Sequence, residues 1–202
     1  MRTIDEFQNL YGYDGEINWE EFYDAMDISE EQKENRKSVA DKLFFILLSL
    51  FLLVDETRDI VVCEWYLRNN LTDLIISYGV YDSNSLNYIN KFTEEYIANT
   101  FNNEGDYWTS DDRAMIGALN ESNSIVNYSE LVDAIEQGYT KKIWKTERDN
   151  KVRETHREVD NKKIPIEEYF EVGNERLLYP HDEANCVDLK EVCGCRCHLE
   201  FE

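Results

Sequence analysis

Cysteine and histidine residues near the carboxyl end are the side chains of this chain best suited to chemistry. Cys193, Cys195 and Cys197 alternate along the sequence, so on a β-strand their side chains would point to one face. Thiolate and imidazole groups are the ligands that tetrahedral zinc prefers. Cys195 and Cys197, with His156 brought in from a helix elsewhere in the chain, therefore form a candidate zinc site. The favoured interpretation is instead a small core filled by inward-facing thiols, with no cofactor, and transient redox pairing is a third.

The number and placement of the cysteines also bear on the redox compartment. The chain has five cysteines, and four of them lie in the last 17 residues. An odd number that is clustered in this way is atypical of a secreted disulfide framework. We expect a reduced, intracellular setting. Cys63, inside an apolar stretch, is predicted to be a small buried hydrophobic residue.

A second group of polar residues falls at helical spacing. Asp149, Arg153 and His156 are four and three residues apart, so a helix over residues 148–160 would present them on one face. A catalytic interpretation makes them an orienting carboxylate, a charge clamp and a general base. No nucleophile or glycine-rich loop accompanies them in the sequence. The favoured interpretation is a structural network with an Asp149–Arg153 ion pair, and the chain is not expected to be an enzyme.

One short segment is basic in a strongly acidic chain. The chain has 43 acidic and 21 basic residues, a formal net charge of −22, which excludes a protein that coats nucleic acid non-specifically. Residues 139–163 carry nine basic and five acidic residues instead. Trp144 in this segment is predicted to be a core anchor, with base stacking as the alternative. An acidic partner surface, for example that of the chain's own N-terminal helices, is expected to contact Lys141, Lys142, Lys145 and Arg148.

Few glycine and proline residues favour long helices over tight hairpins. The chain has eight glycines and two prolines among 202 residues. Apolar periodicity and capping signals predict an acidic helical region over residues 1–138. Its helices are expected at residues 29–53, 57–78, 84–99, from 110 onward, and 129–138.

The pattern changes after residue 138. Short runs of alternating residues predict strands and a hairpin around Gly173 and Asn174. The expected fold class is α+β, with a mainly helical N-terminal part and a small C-terminal unit of helix plus antiparallel sheet at residues 139–202. The final strand is expected to pair beside the hairpin and to contain Cys195 and Cys197. The strands are predicted at residues 164–166, 168–172, 176–179 and 194–201.

The most apolar stretch of the chain covers residues 43–54, with the sequence LFFILLSLFLLV. Its 12 residues are too few to cross a bilayer, since a spanning helix needs about 20 apolar residues. The stretch therefore predicts a buried core helix, and no contact with a membrane is expected.

The C-terminal residues also follow an ordered pattern of residue types. The pattern is formed by Trp144, Thr146, Arg148, Asp149, Arg153, His156, Pro165, Phe170, Tyr179, Pro180, Cys195, Arg196 and Cys197. This order resembles the C-terminal domain of phage head morphogenesis proteins, the Mu protein F-like minor head proteins. Two positions differ from the family pattern: Gly194 replaces an asparagine before Cys-Arg-Cys, and Asp160-Asn161 replaces a turn that contains glycine.

The resemblance implies a structural and assembly protein of a phage or prophage head. It implies a protein present in few copies per particle that acts in DNA packaging or delivery rather than in catalysis. The partners implied are the portal protein, other capsid or scaffold proteins, and packaged DNA. The location implied is the virion or procapsid, and the host cytoplasm during assembly.

Two other classes of function stay open. A compact protein with a net charge of −22 could mimic DNA and inhibit a nucleic-acid-binding enzyme by charge complementarity. A small zinc-dependent hydrolase or toxin would depend on His156 and the cysteines. Measurements of zinc content and of activity on nucleic acid distinguish the hydrolase from the other classes.

Overall fold

The computed structural model describes residues 19–202, with side chains from residue 22 onward. Most of the described chain before residue 137 is helical, and the described strands all follow it. The helices are α1 (Trp19–Asp24), α2 (Glu30–Thr57), α3 (Ile60–Ser77), α4 (Ser83–Asn102), α5 (Asp111–Glu136) and α6 (Glu154–Arg157). The strands are β1 (Lys141–Lys145), β2 (Lys163–Pro165), β3 (Phe170–Val172), β4 (Glu175–Leu177) and β5 (His198–Phe201). The fold class is α+β, as the sequence predicts.

The fold divides into two compact units. The helical unit is Ser38–Ser122, and the sheet unit combines the described residues up to Lys37 with Asn123–Glu202. The division falls within α2 and within α5, so each of these helices contributes residues to both units. The division into residues 1–138 and 139–202 stays a prediction about domain organisation.

Leucines at helical spacing build the core of the helical unit. Leu43, Leu47 and Leu50 on α2 are fully buried. Phe51, on the same helix, stacks on Tyr96 of α4 with 6.1 Å between the ring centroids. The next helix adds Cys63, which is fully buried as predicted. Burial of these apolar side chains holds the helices of this unit together.

The apolar stretch at residues 43–54 lies inside α2, but part of it is exposed. Phe45 and Leu52 are each 66% exposed, while the leucines on the opposite side of the helix are buried. The expectation of a core helix is therefore right for one face only. Among the described residues, none of the helices combines the length and apolarity that a membrane span requires.

Side-chain caps determine where several helices begin. Gln32 donates its backbone N–H to Ser29 Oγ, and Ser29 donates its backbone N–H to Gln32 Oε1. This is the capping box that the sequence predicts for the start of α2. Asp59 and Asp82 cap α3 and α4 through hydrogen bonds from backbone N–H groups.

The sheet unit contains two antiparallel sheets. Three strands lie in the order β2–β1–β5, with Trp144 of β1 opposite Leu199 of β5. Strands β3 and β4 form a separate hairpin, and Gly173 in its turn has a φ of 60°. Both sheets contribute to one hydrophobic core, which includes Trp144, Phe170, Val172, Leu177 and Leu199.

The prediction of a helix over residues 148–160 is wrong for most of its length. Only Glu154–Arg157 is helical. Arg148 adopts the left-handed backbone region with a φ of 54°, and Asp149 Oδ1 accepts the backbone N–H of Lys151 at 2.9 Å. A local bond of this kind competes with helix formation. Asp149 therefore pairs with Arg196 instead of sharing a helical face with Arg153.

Two further predictions about elements are wrong. The final strand begins at His198, because Gly194 takes a left-handed conformation (φ 67°) and the following cysteines lie in an irregular segment. This strand pairs with β1 rather than with the β3–β4 hairpin. Residues 129–136 continue α5 and do not begin a new helix.

Candidate functional site

Three side chains that the sequence singles out meet inside the sheet unit. The Nδ1 atom of His156 lies 3.4 Å from Sγ of Cys197 and 3.6 Å from Sγ of Cys195. One ligand atom from each residue lies within 4.8 Å of the other two. None of the three residues is more than 3% exposed. We call these residues the His–Cys cluster.

The other side of the His156 ring faces a buried carboxylate. Its Nε2 atom lies 3.4 Å from Oε2 of Glu191, which also accepts a hydrogen bond from Thr155 Oγ1 at 2.8 Å. Trp144 packs edge-on against the imidazole with 5.6 Å between the ring centroids. These contacts orient the ring so that Nδ1 points toward the sulfur atoms.

Two asparagines of α5 hold the backbone around the cysteines. Asn123 Nδ2 donates to the carbonyl of Cys195 at 3.4 Å. Asn127 Nδ2 donates both to the carbonyl of Cys197 at 3.3 Å and to that of Pro180 at 3.0 Å. The side-chain amide of Asn127 thus connects the turn that follows the β3–β4 hairpin with the segment that contains Cys195 and Cys197.

Arg36 fixes the orientation of both asparagine side chains. This arginine is fully buried; its Nε donates to Asn123 Oδ1 at 3.2 Å and its Nη2 donates to Asn127 Oδ1 at 2.8 Å. Its Nη1 donates to Glu130 Oε1 at 3.0 Å. A guanidinium group can only donate hydrogen bonds, so the side-chain oxygens of both asparagines must face Arg36. The NH₂ groups of the asparagines therefore point toward the backbone carbonyls.

The two thiols of the His–Cys cluster differ in acidity. Burial raises the pKa of Cys195, but the hydrogen bond with Cys197 and the interactions with His156 outweigh burial and hold that pKa well below its usual value. Burial, and then Cys195, raise the pKa of Cys197 well above its usual value. The backbone N–H of Cys197 also donates to Cys195 Sγ at 3.4 Å. The environment therefore favours a thiolate at Cys195.

His181 is a buried histidine that the sequence analysis did not single out. It is fully buried, and neither ring nitrogen has a hydrogen-bond partner among the described residues. Burial lowers the pKa of His181 to about 4, and its interaction with Cys195 raises that pKa in part. The donor atoms of the His–Cys cluster lie within 4.8 Å of one another, and His181 is not part of that group. The signal that could have found it is its place directly after the Tyr179-Pro180 turn.

A turn stabilised by Asp182 positions His181. Asp182 Oδ2 accepts the backbone N–H of Leu178 at 2.8 Å, and Oδ1 accepts the backbone N–H of Asn185 at 3.3 Å. His181 itself has a φ of 72°, a left-handed conformation that costs free energy in a residue with a β-carbon. The surrounding bonds hold the histidine in this conformation.

The remaining residues of the sequence motif form contacts around the cluster. Arg153 donates to the carbonyl of Cys193, and Arg196 Nη2 donates to Asp149 Oδ2 at 2.6 Å. Tyr179 stacks on Tyr128 of α5 with 5.1 Å between the ring centroids. The structure thus places these motif residues in hydrogen bonds and packing contacts. The helical face that the catalytic interpretation requires, with Asp149, Arg153 and His156 side by side, does not form.

A second pair of buried polar residues lies beside the cluster. Glu147 Oε1 and His198 Nδ1 are 3.8 Å apart, and both side chains are at most 6% exposed. Burial raises the pKa of Glu147 to about 7 and lowers the pKa of His198 to about 4. Glu147 Oε2 also accepts the backbone N–H of Asp27 at 2.7 Å. His198 is therefore directed at Glu147.

The four cations predicted to bind a partner lie in different environments. Lys142 is fully buried and donates to the carbonyl of Leu178 at 2.7 Å, so it is not available to a partner. Lys145 pairs with Glu200 and Arg148 pairs with Asp160, each at 2.9 Å. The fourth cation, Lys141, is exposed. The basic segment is therefore less available than its sequence suggests.

The space beside the His–Cys cluster limits what it can do chemically. A cavity of about 10 Å³ is lined by all three cluster residues, together with Glu147 and Arg153. A volume of this size accommodates roughly one water molecule. The arrangement can hold a proton or an ion, but it has no room for an organic substrate.

Comparisons with known proteins identify the family of this chain. The model of the family described as Phage Mu protein F like protein matches residues 91–200. No curated protein and no solved structure matches the chain. The family match runs from α4 to β5 and includes the whole His–Cys cluster. Because it covers more than half of the 202 residues, the chain belongs to the phage Mu protein F-like family, a family of phage head proteins.

Proposed function

We propose that this protein is a minor head protein of a phage or prophage and acts in head morphogenesis and in the packaging or delivery of DNA. The observation that carries the proposal is the family match over residues 91–200. The protein would act in the procapsid and virion, after synthesis in the host cytoplasm. Its partners would be the portal protein and neighbouring capsid or scaffold proteins.

The proposal includes no catalytic step. The groups best suited to chemistry, His156 and the two cysteines, contact one another inside the sheet unit. The cavity beside them is about 10 Å³, far below the several hundred cubic ångströms typical of a small-molecule site. This geometry supports a structural role for the cluster.

Exposed apolar residues of the helical unit support a role in protein assembly. Val61 and Trp65 on α3 are 68% and 67% exposed, and their spacing of four residues places them on one helical face. Phe45 and Leu52 on α2 are seven residues apart and also share a face. Large exposed hydrophobic residues that share a face are typical of protein interaction surfaces.

Charge favours a protein partner over direct binding to DNA. The net charge is −22, and proteins that bind DNA through phosphates need a positive surface. Two of the basic side chains near the surface, Lys145 and Arg148, are engaged by neighbouring acids. Among the partners that the family resemblance implies, we propose the portal protein for the exposed α3 face of Val61 and Trp65, with any contact to packaged DNA second to it.

Affinity capture during prophage induction tests this proposal. The tagged chain, produced in the induced lysogen, is isolated with its bound proteins, which are then identified by mass spectrometry. We expect the portal protein and capsid proteins to be captured. Capture of a nucleic-acid enzyme in their place would contradict the proposal and support the DNA-mimic alternative.

A matched pair of variants tests the assigned surface. Trp65→Ser removes an exposed hydrophobic side chain from the α3 face, and Val187→Ser removes one that is 89% exposed in the sheet unit. We expect Trp65→Ser to lower portal capture by at least about tenfold, equivalent to about 1.4 kcal/mol of binding free energy. Val187→Ser should leave it unchanged. Equal capture by both variants would show that the α3 face is not the portal contact.

A further inference from the structure

We propose that the sheet unit binds one structural zinc ion through His156, His181, Cys195 and Cys197. This set contains two imidazoles and two thiolates, a composition that structural zinc sites use. The inference goes beyond the proposed role in phage heads and does not depend on it.

The distances within the His–Cys cluster fit zinc coordination. Zinc bonds of about 2.3 Å to sulfur and about 2.0–2.1 Å to nitrogen, at tetrahedral angles, place the nitrogen and sulfur donors about 3.6 Å apart. The observed separations between His156 Nδ1 and the sulfurs of Cys197 and Cys195 are 3.4 and 3.6 Å. His156 Nδ1 is therefore already spaced from both sulfurs as in a zinc site, and the two sulfurs lie within 4.8 Å of each other.

The surroundings of the cluster resemble the outer shell of a metal site. A histidine that binds a metal through one ring nitrogen usually directs the other at a carboxylate or carbonyl. His156 directs Nδ1 at the sulfurs, and its Nε2 lies 3.4 Å from the buried carboxylate of Glu191. The backbone N–H of Cys197 donates to Cys195 Sγ. Such bonds orient the ligands and stabilise the negative charge of a thiolate.

His181 supplies the fourth ligand. It is fully buried, and both of its ring nitrogens lack a hydrogen-bond partner among the described residues, an arrangement that costs free energy unless another group binds the ring. The Cys195 thiol interacts electrostatically with its ring. Its nitrogens are not among the donor atoms that lie within 4.8 Å of one another, so the ring moves toward the cluster when the ion binds. Asn127 joins its segment to that of Cys197 through bonds to the carbonyls of Pro180 and Cys197. A bond from zinc would give one of these two nitrogens a partner.

The ion would serve as a cross-link rather than as a catalyst. Four protein ligands leave no open position, which is the usual difference between structural and catalytic zinc. The ligands come from α6, from the turn after β4 and from the segment before β5. These three segments are short or irregular, and a shared ion fixes them relative to one another.

Elemental analysis tests the proposal directly. Protein produced in zinc-containing medium and purified under reducing conditions without chelators is measured by plasma mass spectrometry. We expect one zinc per chain. Protein that contains no zinc and takes up neither Zn²⁺ nor Co²⁺ in the reduced state would overturn the proposal.

Matched variants test the ligand assignment. Cys197→Ala should abolish stoichiometric zinc, and His181→Ala should lower zinc affinity by more than about tenfold, since even outer-shell changes cost that much. Cys193→Ala and His198→Ala are the controls, because each removes a buried cysteine or histidine that lies outside the proposed ligand set. Both controls should retain one zinc per chain. Loss of zinc from a control, or its retention in Cys197→Ala, would contradict the assignment.

A measurement on the wild-type chain covers the case in which a ligand variant does not fold. Chelation should lower the unfolding temperature of the wild-type protein, and added Zn²⁺ should restore it, because binding to the folded state alone stabilises that state. Co²⁺ in place of zinc should give the visible absorption of a tetrahedral thiolate site. An unfolding temperature that is indifferent to chelator, with no such absorption, would refute the metal site.

Discussion

Buried polar side chains determine the geometry of the His–Cys cluster. The cysteine segment has no regular secondary structure, so its carbonyls need partners from elsewhere in the fold. Asn123 and Asn127 supply these partners, and Arg36 fixes both amides. The position of two sulfur atoms therefore depends on an arginine more than 150 residues away in the sequence.

Glu147→Gln tests the effect of burial on a titratable side chain. Burial raises the pKa of Glu147 from 4.5 to about 7. Between these values the folded state retains a proton that the unfolded state has released, so stability falls as the pH rises through this window. Glutamine keeps an acceptor for the backbone N–H of Asp27 but carries no charge.

We expect the stability of Glu147→Gln relative to the wild-type protein to be greater at about pH 8 than at about pH 5, where the carboxyl group is protonated in the folded state. Urea unfolding at the two pH values measures the difference. If the stability of Glu147→Gln relative to the wild-type protein is the same at both pH values, the carboxyl group of Glu147 does not titrate as its burial implies.

At the scale of single residues, the sequence identifies the chemistry but only part of the site. The spacing of the cysteines and the family resemblance identify His156, Cys195 and Cys197, and the structure brings them together. Asn127 carries no local signal, because its role arises from contacts with residues far away in the sequence, and the one local signal of His181 is its place after the Tyr179-Pro180 turn. Lys142, which the sequence predicts to contact a partner, is buried because it shares a face of β1 with Trp144.

At the scale of elements, α2 shows how one helix combines a buried and an exposed apolar face. Leu47 is fully buried and Leu52 is 66% exposed on the same helix. Leu47 also lies against α5, since a β-carbon at Gly117 would be 3.0 Å from its Cδ1 atom. The same type of side chain therefore has different roles at two positions.

Leu47→Ala and Leu52→Ala form a matched pair that tests this difference. Leu47→Ala should lower the free energy of unfolding by about 2–5 kcal/mol, because it leaves a cavity in the core. Leu52→Ala should change it by less than about 0.5 kcal/mol, as exposed substitutions usually do. Chemical denaturation measures both, and equal losses would contradict the assignment of the two faces.

Local signals predict elements well here, and long-range pairing less well. The capping box at Ser29 and Gln32 and the hairpin at Gly173 are confirmed, because each depends on residues close together in the sequence. The helix over residues 148–160 is wrong, because a turn at Asp149 and an ion pair with Arg196 compete with it. The pairing of β5 with β1 joins strands more than 50 residues apart, and no short motif specifies it.

At the scale of the whole molecule, the net charge of −22 has a consequence for stability. Like charges repel one another in the compact state, and salt screens this repulsion. We expect the unfolding temperature to rise when NaCl increases from about 10 mM to about 150 mM, over which the Debye length falls from about 30 Å to about 8 Å. Calorimetry at the two concentrations measures the change. A lower unfolding temperature at the higher NaCl concentration would show that attractive ion pairs outweigh the net repulsion.

The central claim, that this protein is a component of phage heads, is tested most directly by quantitative mass spectrometry of heads purified after prophage induction. The account predicts that peptides of this chain sediment with the portal and major capsid proteins, at a few copies per head. Induced cells that yield complete, DNA-filled heads without any trace of this chain, although the chain is expressed, would contradict it.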